Sequence, residues 1–282
     1  MLKVGLDKAI GKARAVRSRT HPYLRNLALD LGVSAGSSTY TRFIVLGRSR
    51  VGSNFLVSLL NSHSRIKALG ELLRDPANRT LDIPPSLQSI SLLVSTPTNP
   101  VRFLQRAVFR TYPKHIAAVG FKVFYYHAQG EQWKSVWPYL REQQAIKVIH
   151  LKRRNILKTH LSRQRAALSD TWVNTNGSSE GRGAIELSYD ECVAAFTTTR
   201  AWEEQYDCFF ADHPKLELFY EQLAEDWAGE MGRVQEFLGV EPERLTPTTY
   251  KQSTQPLAQA IANYGELKAR FQSTPWATFF EE

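Results

Sequence analysis

Two short stretches of this chain combine glycine, serine and arginine in a pattern suited to binding anions. The first, Gly47-Arg48-Ser49-Arg50-Val51-Gly52-Ser53-Asn54-Phe55, follows an apolar run and opens a helical pattern. Gly47 and Gly52 have the spacing of a phosphate-binding loop, G-x-x-x-x-G, but Ser53 stands where the loop lysine belongs. Gly52 lets the backbone approach a ligand closely. The amides of Ser53, Asn54 and Phe55 point out of the helix start with no intrahelical partner. Ser53 and Asn54 add side-chain donors. Arg48 and Arg50 supply charge in a forked geometry matched to phosphate or sulfate oxygens. The second stretch is Lys152-Arg153-Arg154-Asn155, with Ser162 eight residues after Arg154. A helix begun near Asn155 carries Ser162 two turns further, roughly 10 Å along the axis on nearly the same face. Arg154 and Ser162 can then hold one phosphate between them, and Lys158, Arg163 and Arg165 extend the field. Each stretch also has a plainer reading, a turn with surface arginines or a solvated basic face. Taken together, they imply a ligand with two separated anionic ends.

These residues need a scaffold. Phe43-Ile44-Val45-Leu46 is a short apolar run ending in Gly47, as in a buried strand. Leu56, Leu59 and Leu60 then recur at helical spacing. Further strands are expected at 117–124, 145–151 and 216–220. A helix is expected from Ile156 to about Leu168, and a long one through Tyr189, Cys192, Val193, Phe196, Trp202, Tyr206 and Phe209. Strands alternating with helices predict an α/β fold, a mostly parallel central sheet flanked by helices. Both basic stretches fall at carboxyl ends of strands, where such sheets bind ligands. Residues 1–40 read as a basic extension with a Gly/Ser linker, and 41–282 as one domain. From Asp170 to Ala184, around Trp172, the apolar period is lost over about fifteen residues, a length uncommon unless the loop is functional or disordered.

The chain has 282 residues, 43% hydrophobic and 22% charged, which excludes disordered and collagen-like classes. Its two cysteines, Cys192 and Cys208, form no C-x-x-C pair, so neither a metal nor a redox centre is expected. No apolar run of about 18 residues occurs, so no integral membrane segment is expected. The basic N-terminus lacks the apolar core of a secretory signal. A cytoplasmic chain is expected, with a peripheral position at a membrane as the second location. The net charge of +9, from 36 basic and 27 acidic residues, favours an anionic partner. A small-molecule kinase is disfavoured by Ser53 in place of the lysine and by the missing magnesium-binding aspartate. A nucleic-acid or polyanion-binding module is disfavoured because the basic residues gather at two strand ends rather than in a nucleic-acid-reading motif.

Arg50-Val51-Gly52-Ser53-Asn54-Phe55-Leu56 resembles the 5′-phosphosulfate loop of sulfotransferases. Arg154-Asn155 with Ser162 resembles their 3′-phosphate motif. Leu218-Phe219-Tyr220-Glu221-Gln222-Leu223 resembles their Tyr-Glu-Asp-Leu segment, and Phe237-Leu238-Gly239 the Phe-Leu-Gly that follows. The likeness spans roughly residues 41–282 and is nearest to bacterial carbohydrate sulfotransferases of the nodulation-factor and trehalose type. It departs at Asn155-Ile156, where Asn-Pro or Asp-Pro is usual. Lys251-Gln252-Ser253-Thr254 stands where an Arg-Lys-Gly segment is expected.

The resemblance implies a P-loop-like sulfotransferase fold without a metal, and 3′-phosphoadenosine 5′-phosphosulfate (PAPS) as co-substrate. It implies a hydroxyl acceptor, a carbohydrate or glycolipid. Arg48, Ser49, Arg50, Val51, Gly52, Ser53, Asn54, Phe55, Arg154, Ser162 and Tyr220 would then contact the nucleotide. Tyr220 would lie near the adenine, its alternative being a place in the core. Sulfuryl transfer needs charge stabilisation, from Arg50 and the loop amides with Arg48 as a lesser helper or a surface residue. It also benefits from a general base. A glutamate in the context Leu69-Gly70-Glu71-Leu72-Leu73 serves as base in the resembling enzymes, which points to Glu71; the alternative is a helix-start glutamate. His63 is the second candidate base, or a solvated turn residue. Lys122, near a strand end, polarises the sulfuryl group or is structural.

Overall fold

The computed structural model describes residues 26, 28–29, 31–74, 99–169, 183–248 and 255–281. Five parallel strands form the sheet in the order β3-β5-β2-β6-β7: β2 (Thr41–Gly47), β3 (Ile66–Glu71), β5 (Ala118–Phe124), β6 (Lys147–Lys152) and β7 (Lys215–Phe219). This is the expected α/β architecture with a parallel sheet flanked by helices. Two short strands, β1 (Gly36–Ser37) and β4 (Tyr112–Pro113), pair antiparallel beside it. They pair Gly36 and Ser37, just before β2, with Pro113 and Tyr112.

Alternation in β2 assigns its two faces. Ile44 and Leu46 enter one core with Val119, Phe121 and Val148. Phe43 and Val45 enter another, with Leu56, Leu59 and Leu60 of α1 (Ser53–Ser62) and Met231, Val234 and Leu238 of a helix over Trp227–Leu238. A third core joins α2 (Ile156–Ser169), α3 (Tyr189–Phe209) and the C-terminal segment through Ile156, Leu157, Phe196, Phe271 and Phe280.

Strand order fixes where a ligand can sit. From β2 the chain crosses to β3 on one side, and from β6 it crosses to β7 on the other. The loops diverge over the carboxyl ends of β2 and β6, the topological switch point where open parallel sheets bind ligands. Both basic stretches begin there.

Candidate functional site

The loop after β2 turns sharply. Arg50 and Gly52 both have positive φ, 70° and 86°. Gly52 is the N-cap of α1, and no side chain caps that helix. A Cβ on Gly52 would lie 2.3 Å from Cδ2 of Tyr220, so the loop rests directly against the Tyr220 ring. Val51 is buried in the core beneath the loop, and Phe55 packs partly against it. The first turn of α1 carries no acidic residue, which leaves its amide end electropositive.

The two basic stretches meet. Arg50 Nε donates to Ser162 Oγ at 3.0 Å, and Arg153 donates from NH1 to the carbonyl of Arg50 at 3.2 Å. Arg153 lies over the Tyr220 ring, 4.6 Å from its centroid, and Arg154 over the Phe219 ring at 4.4 Å. Glu221 accepts from the amides of Arg154 and Asn155 at 3.0 and 3.3 Å and so pins the start of α2. Arg50, Ser162, Arg154 and Tyr220 therefore share one corner of the sheet edge.

Across β2 lies a second group. The register of β3 on β5 shifts between Leu69 and Glu71, so Glu71 rather than Gly70 pairs with Lys122. Such a bulge re-aims a side chain. Here it brings Glu71 Oε1 to 3.0 Å from Lys122 Nζ. Lys122 also donates to Asn54 Oδ1 in the first turn of α1. Arg74 Nε lies 2.5 Å from Glu71 Oε2, and His127 Nε2 lies 3.7 Å from the same oxygen. Burial alone would raise the Glu71 pKa, but Lys122 and Arg74 outweigh it and hold the carboxyl below its ordinary range. Burial pushes His127 down to about 4, leaving it neutral. The arrangement offers an ionised carboxylate beside an ammonium that reaches the first turn of α1, directly after the basic loop.

Several expectations need correction. Glu71 ends a strand; it does not start a helix. His63 is not a solvated turn residue. It is buried, with Nε2 2.9 Å from the carbonyl of Glu241, and Nδ1 accepts from the amide of Arg65. It sits between the end of α1 and the start of β3, at the opposite end of the sheet from the loop. Arg48 is not a surface arginine. It turns inward, donating to the carbonyl of Ala195 at 3.1 Å and to Thr199 on α3, with Trp202 5.7 Å away. Burial lowers its pKa to about 10. Trp172, most of the 170–184 loop and Lys251–Thr254 lie outside the described residues. Sequence reasoning missed Arg74, Arg153, Tyr126 and His127. Only the cluster Tyr125-Tyr126-His127, directly after an apolar strand, carried a readable signal.

Among the described residues no helix is long and apolar enough to cross a membrane, and no group of three or more His, Cys, Asp or Glu side chains could hold a metal ion.

Comparison with known proteins bears on this site. A model described as "Sulfotransferase family" matches residues 42–244, which hold both basic stretches, Glu71 and Lys122. Nodulation protein H of Rhizobium meliloti (strain 1021) is 29% identical over 247 residues, 85% of this chain and 94% of that protein. Nodulation protein H of Rhizobium tropici is 27% identical over 244 residues, 85% and 92% of the two chains. A solved sulfotransferase from Alicyclobacillus acidocaldarius superposes with a TM-score of 0.47 at 15% identity, covering 86% of this chain and 94% of that one.

Proposed function

The chain belongs to the sulfotransferase family, and from that premise we propose that it transfers the sulfuryl group of PAPS to a hydroxyl of a carbohydrate or glycolipid. The observation that carries this reading is the contact of Arg50 with Ser162, which joins two anion-suited stretches at one sheet edge. A nucleotide with a 5′-phosphosulfate and a 3′-phosphate has two anionic ends to place. The loop amides, Ser49, Ser53 and Arg50 suit the first end. Arg154 and Ser162 suit the second, and Tyr220 lies between them against Gly52.

In this reading the acceptor O–H gives its proton to the Glu71 carboxylate. The acceptor oxygen forms a bond to sulfur, and the bond from sulfur to the bridging phosphate oxygen breaks. The electron pair leaves on that oxygen, giving 3′-phosphoadenosine 5′-phosphate. Arg50 and the loop amides meet the leaving charge. Proton arrival neutralises Glu71 and weakens its hold on Lys122. The ammonium, steadied by Asn54, is then available to the transferring group. Most of the catalysis is positioning and charge stabilisation, as in phosphoryl transfer.

Thermal shift with 3′-phosphoadenosine 5′-phosphate against ADP and AMP tests the donor site. The bisphosphate alone should stabilise strongly, and Arg154→Ala should lose most of that shift. Equal stabilisation by ADP with magnesium would favour a kinase. Labelled PAPS with a panel of hydroxyl compounds tests the transfer.

A further inference from the structure

We propose that Tyr126 forms the floor of the acceptor subsite and that its open ring face stacks on a pyranose. This deepens the reading above and rests on it. Tyr126 follows β5 by two residues, at the ligand-binding edge of the sheet. It is 38% exposed, the one aromatic side chain among the described residues that is more than a third open. Burial raises the pKa of its phenol. The ring is braced by Phe124 at 5.7 Å, by His127 edge-on at 5.2 Å and by Trp202 at 5.9 Å.

Position gives this ring its meaning. His127, the next residue, reaches to 3.7 Å from the Glu71 carboxylate. On its other side Trp202, 5.9 Å from the Tyr126 ring, also lies 5.7 Å from the guanidinium of Arg48 in the loop after β2. An open aromatic face thus stands between the loop suited to the sulfuryl end of the donor and the proposed base, with charged groups around its edge. Planar phenols favour an apolar slot. A pyranose has one apolar C–H face and a rim of hydroxyls, which matches an aromatic floor bordered by polar groups. Packing against Phe124, His127 and Trp202 holds the ring before ligand arrives, so stacking costs little entropy.

The test uses full-length enzyme with PAPS and three neutral disaccharides (maltose, cellobiose and lactose) as acceptor probes, beside 4-nitrophenol. Transfer to at least one disaccharide is expected. Tyr126→Ala should raise the acceptor KM about tenfold and leave the KM for PAPS and the thermal shift by 3′-phosphoadenosine 5′-phosphate within about twofold. Tyr126→Phe keeps the ring face and removes only the hydroxyl; it should raise the acceptor KM by no more than about threefold. A general loss of packing would weaken both substrates together, which would overturn the stacking role. An unchanged acceptor KM in Tyr126→Ala would overturn it as well. Turnover of 4-nitrophenol with all three disaccharides inert would overturn the pyranose assignment while the donor site stands. Failure of the bisphosphate to stabilise wild type would instead sink the donor reading.

Discussion

Gly52→Ala strikes the loop at its tightest point. With φ at 86°, any side chain there is strained, and left-handed backbone costs a non-glycine residue about 1–2 kcal/mol. The new Cβ would also fall 2.3 Å from Cδ2 and 2.8 Å from Cε2 of Tyr220, so the ring must move. It cannot swing freely, because Arg153 covers it at 4.6 Å. An off-rotamer ring adds about 1 kcal/mol. The sum is about 2–3 kcal/mol, or a fall in Tm of roughly 3–5 °C for a chain of this size. Displacing Tyr220 also spoils the proposed nucleotide site, so the dissociation constant for 3′-phosphoadenosine 5′-phosphate should rise at least about tenfold. Gly232→Ala provides the contrast. Gly232 lies inside the helix over Trp227–Leu238, and nothing stands within 4 Å of where its Cβ would go. That change should stabilise by about 0.5–1 kcal/mol through helix propensity. Calorimetry and nucleotide titration on both variants decide the matter. Gly52→Ala matching wild type in Tm and nucleotide affinity would refute the reading of this loop.

Glu71→Gln should keep nucleotide binding and lower kcat by roughly 10²–10⁴, as for loss of a general base; full turnover would remove that role. Glu71 acts ionised, and its pKa is held below the ordinary 4.5, so the acid limb of kcat/KM should lie below that pH. In Lys122→Ala the carboxyl loses the stronger of the two charges that offset its burial, so the limb should move upward in pH whatever happens to the absolute rate. His127 and His160 are buried neutral, each pushed from 6.5 to about 4. Their depressed folded pKa values mean that the unfolded chain binds more protons below pH 6.5. Stability should be fully present above that pH and fall by about 1.4 kcal/mol per pH unit per histidine down to about 4. Denaturant unfolding between pH 5 and 7.5 checks this, and a flat profile would contradict it.

What the sequence shows follows from how strands are buried. β2, β5 and β6 are buried along most of their length on both faces and read as mainly apolar runs, with Lys122 and His150 the polar residues inside them. β3 is different. Ile66-Lys67-Ala68-Leu69-Gly70-Glu71 is a short edge strand with a lysine and a glycine, and nothing local marks it. The bulge that sets Glu71 opposite Lys122 exists only once β5 has paired. Arg48 reads as a surface residue because its partners, Ala195 and Thr199, lie far along the chain. His63, in a turn-like Asn61-Ser62-His63-Ser64, is buried through the segment near Glu241 and Glu243. Residue types and spacing marked the two basic stretches that meet at one corner. The carboxylate corner depended on long-range pairing and showed only one of its members plainly.

The strand order sets these two corners side by side, as the proposed site requires. Ser162 and Tyr220 stand on the β6–β7 side of β2, and Glu71 and Lys122 on the β3–β5 side. The loop after β2 and the first turn of α1 lie between them and touch both. Arg50 reaches Ser162, Gly52 supports Tyr220, and Asn54 accepts from Lys122. Parallel neighbours in a sheet are about 4.8 Å apart, so five strands place both groups within a span suited to one nucleotide and the hydroxyl it meets. A change in this turn should therefore disturb donor affinity and the Glu71 titration together. Asn54→Ala is the cleanest case, because it removes a contact to Lys122 without altering the backbone conformation of the loop.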